Sequence, residues 1–501
     1  MDAFLSALVT VLEPGNLVIL FLATIAGLTL GAIPGLTVVM AIALAVPMTL
    51  WMETVPAMML LIGLYGSGIY SGSISAILIN APGTPASAAT GLDGYAMAKQ
   101  GRPLKALRLA LWASVFGGLV SIILLVLIAP QLAQVALKFG PAELASLLIF
   151  SLTLIGILSG GSMAKGLLAA ALGMLIATIG ADPMLSVPRF TLGYTELWDG
   201  FSFIPVLIGL FAIAELFEQG AQRFKDADDA ISISHTDSNM NRISKEEVRK
   251  CAVPAVRSSL IGSLIGALPG LSASIAAFLA YAVTKRVSKT PEELGKGSVE
   301  GIVSAESANN AVTGSAMIPL LALAIPGDPP TAILLGALLI QGVTPGPMIF
   351  TFHPEVVYSI YLILFVALVF LAIIASFAIK PITHVLRVPK HILFPIILVM
   401  CVAGSYSMRS NIFDVYVMFG AGVLGYILRL FSVPIAPLLI AFILTSPFEE
   451  ALRQALIGSN GSLMVFIQKP ISAAFLGLAA LMVASVMLRG RKEAKAKSSL
   501  Q

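Results

Sequence analysis

Runs of about twenty apolar residues, the length a helix needs to cross a membrane, recur from end to end of this chain, at 106–128, 356–379 and 471–488 among others. Within lipid a backbone must satisfy its own hydrogen bonds, which leaves helices or a closed barrel. A barrel would show weak alternating segments, whereas these runs are continuous. Only 11% of the 501 residues are charged, too few to cover a water-facing surface, since a soluble domain carries about 25%. The expected fold class is an all-α polytopic membrane protein. The net charge of +4 comes from scattered Lys and Arg, which mark topology and form no nucleic-acid patch. Cys251 and Cys401 fit no metal spacing and read as isolated free thiols. The opening MDAFLSALVTVLEPG has no basic n-region and makes a poor signal peptide.

Two stretches interrupt the apolar pattern. ILINAPGTPASAATGLDG (77–94) places Asn80, Pro82, Gly83, Thr84 and Pro85 at the end of an apolar run, and LALAIPGDPPTAILLG (321–336) does nearly the same with Pro326, Gly327, Asp328 and Pro329. They belong to two series that match in order. GAIPGLT at 31–37 returns as GALPGLS at 266–272, Gly72-Ser73 as Gly314-Ser315, APGTP at 81–85 as IPGDP at 325–329, and Gln100-Gly101 as Gln341-Gly342. The offsets are 235, 242, 244 and 241, stable enough to indicate duplication.

Positive charge marks the cytoplasmic side. Basic clusters at 99–108, 223–250, 285–296, 380–390 and 489–497 all fit one topology with the N-terminus outside. It requires the segment around Pro34 to be a re-entrant hairpin on the outer side. Crossings follow at 54–79, 106–129, 142–158, 166–180 and 201–218. Five crossings put the second half in the opposite sense, with its own hairpin around Pro269 on the inner side. Crossings at 301–323, 356–379, 391–405, 413–431, 434–445 and 471–488 complete it, leaving short or re-entrant helices after Pro85 and Pro329. Such inverted repeats with broken helices are a transporter architecture with binding at the midplane. The expected domains are a first repeat (1–218), a cytoplasmic linker (219–252), a second repeat (253–488) and a basic cytoplasmic tail (489–501). The linker reads as a tether, or as carrying an amphipathic helix at 244–250.

Irregular backbone at membrane depth is tolerated where it is buried in protein or lines a watery cavity. A helix N-terminus there carries about half a positive charge and can hold a carboxylate without Lys or Arg. Around the first break Asn80, Thr84, Ser87 and Thr90 are neutral, which suits an anion; Ser73 approaches the same break. At the second, Asp328 suits a coupling cation, Na⁺ or H⁺. The alternative is that Thr84 and Asp328 cap helices begun by Pro85 and Pro329. Glu306, Asn309 and Asn310 lie within one apolar crossing, with 306 and 310 on one face, and intramembrane ionisable groups are functional candidates. The small residues of YGSGIYSGSISAILIN (65–80) suit close helix packing. Asp93, near Lys99 and Arg102, reads as an interfacial charge, and Glu215 and Glu218 as solvated ends of a crossing.

Enzyme signatures fail. EEALR at 449–453 has one residue too few for an intramembrane prenyl-protease motif, the four histidines are scattered, and GSGIYSG lies in no βαβ unit. No Walker A motif occurs, so ATP is not the expected energy source.

GAIPGLT, INAPGTPASAATGLDGYAMAKQGRPLKAL, GALPGLSASIAAF and ESANNAVTGSAMIPLLALAIPGDPPTAILLGALLIQGVTPGP resemble the large membrane subunit of the tripartite tricarboxylate transporters, from Gly15 to the last helix. The resemblance implies a bacterial inner-membrane permease working with a small four-helix membrane subunit and a periplasmic solute-binding protein that delivers a carboxylate. It implies uptake driven by an ion gradient, with no cofactor beyond the coupling ion. The Pro-Gly loops carry over as the expected site. Pro34, Gly35, Thr37, Ser73, Asn80, Pro82, Gly83, Thr84, Pro269, Gly270 and Ser272 are substrate candidates. Glu306, Asn309, Asn310, Pro326, Gly327 and Asp328 are coupling-ion candidates. The competing readings are a channel or a non-transport membrane platform.

Overall fold

The structure is a computed structural model and describes residues 2–158, 162–221, 240–385 and 390–498. The first half holds α1 (Asp2–Leu12), α2 (Pro14–Ala32), α3 (Val38–Ala45), α4 (Thr54–Ile79), α5 (Ser87–Lys99), α6 (Pro103–Ala136), α7 (Pro141–Leu158), α8 (Met163–Ala177), α9 (Phe203–Ile208) and α10 (Ala214–Ala221). The second holds α11 (Lys245–Gly266), α12 (Ala273–Val287), α13 (Val299–Ser315), α14 (Met317–Leu323), α15 (Pro329–Ile340), α16 (Ile349–Phe352), α17 (Pro354–Val385), α18 (Lys390–Ser407), α19 (Ile412–Leu430), α20 (Ile435–Gly458), α21 (Val465–Gln468) and α22 (Pro470–Ser498). A two-stranded hairpin, β1 (Gly180–Ala181) with β2 (Pro188–Arg189), lies between α8 and α9. A π turn joins α9 to α10 as one span.

Seven helices among the described residues are long and apolar enough to cross a membrane; the chain is an all-α multi-pass membrane protein. The helices at 142–158, 166–180, 391–405 and 471–488 form where expected but are shorter as apolar segments. The helix expected to end near 445 runs on to Gly458 as α20. The chain at 301–323 forms two helices, α13 and α14.

At about 1.5 Å per residue, the 26 residues of α4 exceed the hydrocarbon thickness, and 89% of its apolar window is buried in protein. Its small residues explain that burial. A Cβ on Gly27 of α2 would sit 2.8 Å from the Leu64 carbonyl, and one on Gly31 would sit 2.6 Å from that of Gly68. The Ser71 hydroxyl donates to the Gly27 carbonyl at 3.1 Å. The second half repeats this contact between α11 and α13, where a Cβ on Gly262 would lie 2.2 Å from the Ala308 carbonyl. Lipid gives helices no hydrophobic reason to associate, so close backbone approach through small residues does that work.

Landmarks that match in sequence also match in conformation. Gly35 and Gly270 turn at φ +90° and +78°, Asn80 and Ala324 at 52° and 56°, and Gly101 and Gly342 at 80° and 75°. Thr37 and Ser272, each just before a helix, share ψ of 153° and 154°. Packing between the halves is reciprocal. Helix α5 packs on α12 and α13 while α15 packs on α3 and α4; α6 lies against α13 while α17 lies against α4. Two glutamines follow the same exchange. Gln100 donates to the Lys296 carbonyl at 2.7 Å, and Gln341 donates to the Thr49 carbonyl at 2.6 Å.

Three local expectations change. Most of the expected linker, 222–239, lies outside the described residues, and its end is helical: α11 starts at Lys245 under a capping box between Ser244 and Glu247. The described end is pinned rather than free, because Asn241 accepts from the Lys105 amide at 3.1 Å and Glu247 pairs with Lys105 at 2.5 Å. Glu215 is buried against Arg429 and so paired rather than solvated, while Glu218, also held by Arg429 at 2.6 Å, stays partly exposed. Asp93 is fully buried, not interfacial. It accepts from the backbone N–H groups of Gly295, Gly297 and Ser298 at 2.7–2.8 Å and from the Tyr281 hydroxyl at 2.9 Å. It thereby fixes the start of α13.

Candidate functional site

The first pair of breaks is built by glycines without room for a side chain. The turn at 33–37 ends α2, and Thr37 caps α3 by accepting from the Met40 amide at 3.2 Å. Pro34 and Gly35 stand before the Gln219 side chain, which a Cβ on Gly35 would meet at 2.2 Å. The second break folds back onto α4: the Gly83 amide donates to the Gly72 carbonyl at 3.1 Å. A Cβ on Gly83 would lie 2.5 Å from the Gly31 carbonyl, so the two breaks of this half touch. Asn80 and Pro82 are exposed, while Gly83 and Thr84 are buried. Thr84 and Ser87 exchange hydrogen bonds at 3.3 Å, closing a turn ahead of α5. Pro85 therefore sits in this turn, two residues before the helix rather than at its first position.

The other pair is deeper. The Gly270 amide donates to the Gly327 carbonyl at 2.8 Å, and a Cβ on Gly327 would lie 2.8 Å from the Gly266 carbonyl. Pro269, Pro326, Gly327 and Asp328 are all buried. Ser272 holds the capping position of α12 without a side-chain bond. Asp328 is the N-cap of α15, its Oδ1 accepting from the Thr331 amide at 2.9 Å. Its Oδ2 accepts from the Tyr65 hydroxyl of α4 at 2.6 Å. The helix-starting reading of Asp328 is thus realised, together with a bond between the halves.

Between these breaks α4, α5, α6 and α13 converge on Glu306, which is fully buried. Ser73 and Thr90 donate to Oε1, the latter at 2.5 Å, and Ser114 and Asn310 donate to Oε2 at 2.8 and 3.1 Å. Asn310 also donates to Ser114 at 2.8 Å. The 306/310 face read from the helical period is therefore real. Ser73 joins Glu306 and not only the first break. Asn309 is fully buried, and neither amide atom has a partner in hydrogen-bonding geometry, although the group lies within reach of the Glu306 carboxylate. A small cavity of about 30 Å³, roughly one water, is lined by Gly66, Ser121, Asn310, Thr313 and Gly314 beside this cluster.

Tyr65, Thr90 and Ser114 are the partners that sequence reasoning missed as site residues. Thr90 stood out only as a neutral neighbour of the break. Ser114 lies in an unremarkable apolar run, and no local pattern announces it.

The family model described as "Tripartite tricarboxylate transporter TctA family" matches residues 17–440. This chain belongs to the TctA family. That family is one of transporters whose members work with other components of a tripartite system. A protein of Agrobacterium vitis described as an uncharacterized 52.8 kDa protein in the TAR-I ttuC' 3' region is 39% identical over 478 residues, 95% of this chain and 94% of its own length. A second from the same organism, an uncharacterized protein in the TAR-II ttuC' 3' region, is 40% identical over 209 residues, 42% of this chain and 86% of its own length. No solved structure matches. For a TctA-family transporter, a buried carboxylate without a basic partner, on a helix of the second half and held by helices of the first, is the feature that asks for a functional explanation.

Proposed function

We propose that this chain is the large permease subunit of a binding-protein-dependent secondary transporter that takes up di- and tricarboxylates across the bacterial inner membrane, driven by an ion gradient. Its partners in this reading are a small four-helix membrane subunit and a periplasmic solute-binding protein. The observation that carries it is Glu306: a buried acid on α13 whose four donors come from α4, α5, α6 and α13 itself. Movement of one set of helices against another would change the environment of that charge.

The two halves, 1–218 and 253–488, act as inverted-topology repeats, with re-entrant hairpins at Pro34 and Pro269. Three observations support this: the matched turns, the reciprocal packing, and the charge around the matched glutamines. Four Lys or Arg stand at 99–108 and none at 340–349, which by the positive-inside rule puts Gln100 on the cytoplasmic side and Gln341 on the periplasmic side. The N-terminus is then periplasmic and the C-terminus cytoplasmic. Substrate carboxylates bind at the neutral first breaks, at Pro34, Gly35, Thr37, Asn80, Pro82, Gly83 and Thr84, with Ser73, Pro269, Gly270 and Ser272 completing the site. The coupling ion is held by Glu306, Asn309 and Asn310, with Pro326, Gly327 and Asp328 beside it.

Reconstitution in proteoliposomes with the small subunit and the binding protein tests the reading. The expected result is concentrative citrate uptake that needs both partners and an ion gradient. Uncoupled flux without the binding protein would mean a channel, and no flux would mean a platform.

A further inference from the structure

Resting on the reading of Glu306 as the coupling-ion group, we propose that the ion is a proton, bound covalently by the Glu306 carboxylate, with the Thr90 hydroxyl oxygen accepting the new O–H. A carboxylate buried without a counter-charge costs several kcal/mol, which hydrogen bonds offset in part and a bound proton or cation removes. A metal cation needs a space of its own among its oxygen ligands. Here the oxygens meet the carboxylate directly, through hydrogen bonds of 2.5 to 3.1 Å from Thr90, Ser114 and Asn310 and a further one from Ser73. Nothing separates them that an ion could occupy.

The groups present also match the needs of a carboxylic acid. Ionised, Glu306 accepts from four donors, two on each oxygen. Protonated, it needs one acceptor, and one hydroxyl must turn away. The acceptor is at hand: the Thr90 hydroxyl oxygen lies 2.5 Å from Oε1, and a hydroxyl that donates to a carboxylate can accept from a carboxylic acid. Ser73 and Thr90 both serve Oε1, and each sits in a helix where its hydroxyl can turn to the carbonyl one turn back. The step balances. A hydronium ion gives its proton to Oε1 and leaves as water, the new Glu306 O–H donates to the Thr90 oxygen in place of the bond it received, and the Thr90 hydrogen turns to a backbone carbonyl. Asn310 lines the cavity of about 30 Å³ beside Ser121 and Thr313, which gives a water a place next to the cluster.

Among the described residues, no other charge on the surrounding helices is free to do this work. Tyr70 of α4 is near enough to act on Glu306, but its hydroxyl donates to the Leu107 carbonyl at 3.4 Å. On α5, Asp93 is taken up by the 295–298 backbone. On α6, Lys105 pairs with Glu247, and Arg108 donates to the Asn241 carbonyl at 3.3 Å. On α11, Arg257 bonds to Thr284 and Lys250 to Glu293, while Glu246 and Arg249 are exposed. On α12, Tyr281 serves Asp93, and Lys285 and Arg286 are exposed. Glu300, on α13 itself, accepts from Ser288.

The test uses the full chain with its small subunit and binding protein in proteoliposomes, with citrate as probe and the membrane potential clamped. An outside-acid gradient of one pH unit in sodium-free buffer is expected to drive about tenfold accumulation per coupled proton, and a sodium gradient at equal pH none. A pH dye inside the vesicles should report acidification when citrate is added. Glu306→Gln is expected to lose both accumulation and citrate-driven acidification, and Glu306→Asp, which keeps the titratable group, to restore part of both. Accumulation driven by the sodium gradient alone, or citrate entry without acidification of wild-type vesicles, would overturn the proton assignment and leave ion-coupled uptake standing. Uptake that answers to neither gradient would overturn that broader reading and the proton assignment with it.

Discussion

The two Pro-Gly breaks that follow α4 and α14 share sequence, offset and backbone conformation, yet the molecule treats them differently. The first is neutral and shallow, with Asn80, Pro82 and Pro85 exposed. The second is buried, carries Asp328 and spends both carboxylate oxygens on Thr331 and on Tyr65 of the other half. Two matched elements thus share a backbone course and differ in chemistry. The neutral one leaves exposed surface, whereas the acidic one is closed by protein contacts. Backbone conformation agrees even where neither copy has glycine, at Asn80 and Ala324. Charge diverged where the break faces different surroundings.

The largest effect expected from extending this comparison is at the glycines of the matched turns before α3 and α12. Gly270→Ala forces a side chain into a left-handed turn, at about 1–2 kcal/mol, and sets its Cβ 2.8 Å from the Ile155 backbone, which adds about 1–3 kcal/mol of overpacking. Gly35→Ala has the same turn but meets only the flexible Gln219 side chain, so about 1–2 kcal/mol is expected. Thermal unfolding in detergent should rank Gly270→Ala clearly below Gly35→Ala; equal losses would remove the depth difference. Next comes the polar contrast. Tyr65→Phe leaves a buried Asp328 oxygen without its donor, at about 1–3 kcal/mol. Thr84→Val removes only the 3.3 Å bond from the Ser87 amide to the Thr84 hydroxyl, at less than about 1 kcal/mol. The same unfolding assay checks both.

The glutamine clasps sharpen the symmetry itself. Gln341→Ala and Gln100→Ala each remove one bond to the opposite half, at about 1 kcal/mol or less, with the greater loss at the less exposed Gln341. A double variant should lose roughly the sum.

The smallest effect lies outside the membrane. Burial opposes ionisation of Glu247, but the Lys105 ammonium and the Ser244 N–H outweigh it and hold the carboxylate below its usual range. A depressed folded pKa contributes stability that is whole above the unfolded value, about 4.3 for Glu, and is lost as pH falls through the folded one. Unfolding below that pH should therefore lose a contribution that Lys105→Met lacks at every pH.

Much of this was legible in the chain. Apolar runs gave the class, and the matched landmarks anticipated turns whose angles agree within a few degrees to a dozen. The helical period put Glu306 and Asn310 on one face. What stayed hidden was pairing across distance. Ser114 meets Glu306 from a helix 192 residues away, and Arg429 meets Glu215 across 214. Nothing local encodes such contacts. Asp93 misled because Lys99 and Arg102 stand close in sequence, whereas its partners are backbone amides some two hundred residues on. Thr84 misled in a smaller way: the favoured cap residue closes a turn, and α5 begins only at Ser87.

The central claim is that breaks from both halves bound one carboxylate site. Single cysteines at Ala81→Cys and Ser272→Cys, with Cys251 and Cys401 replaced, would be labelled by a maleimide in the reconstituted complex with and without citrate. The account predicts that citrate slows labelling at both positions. Protection at neither, or at one alone, would contradict it.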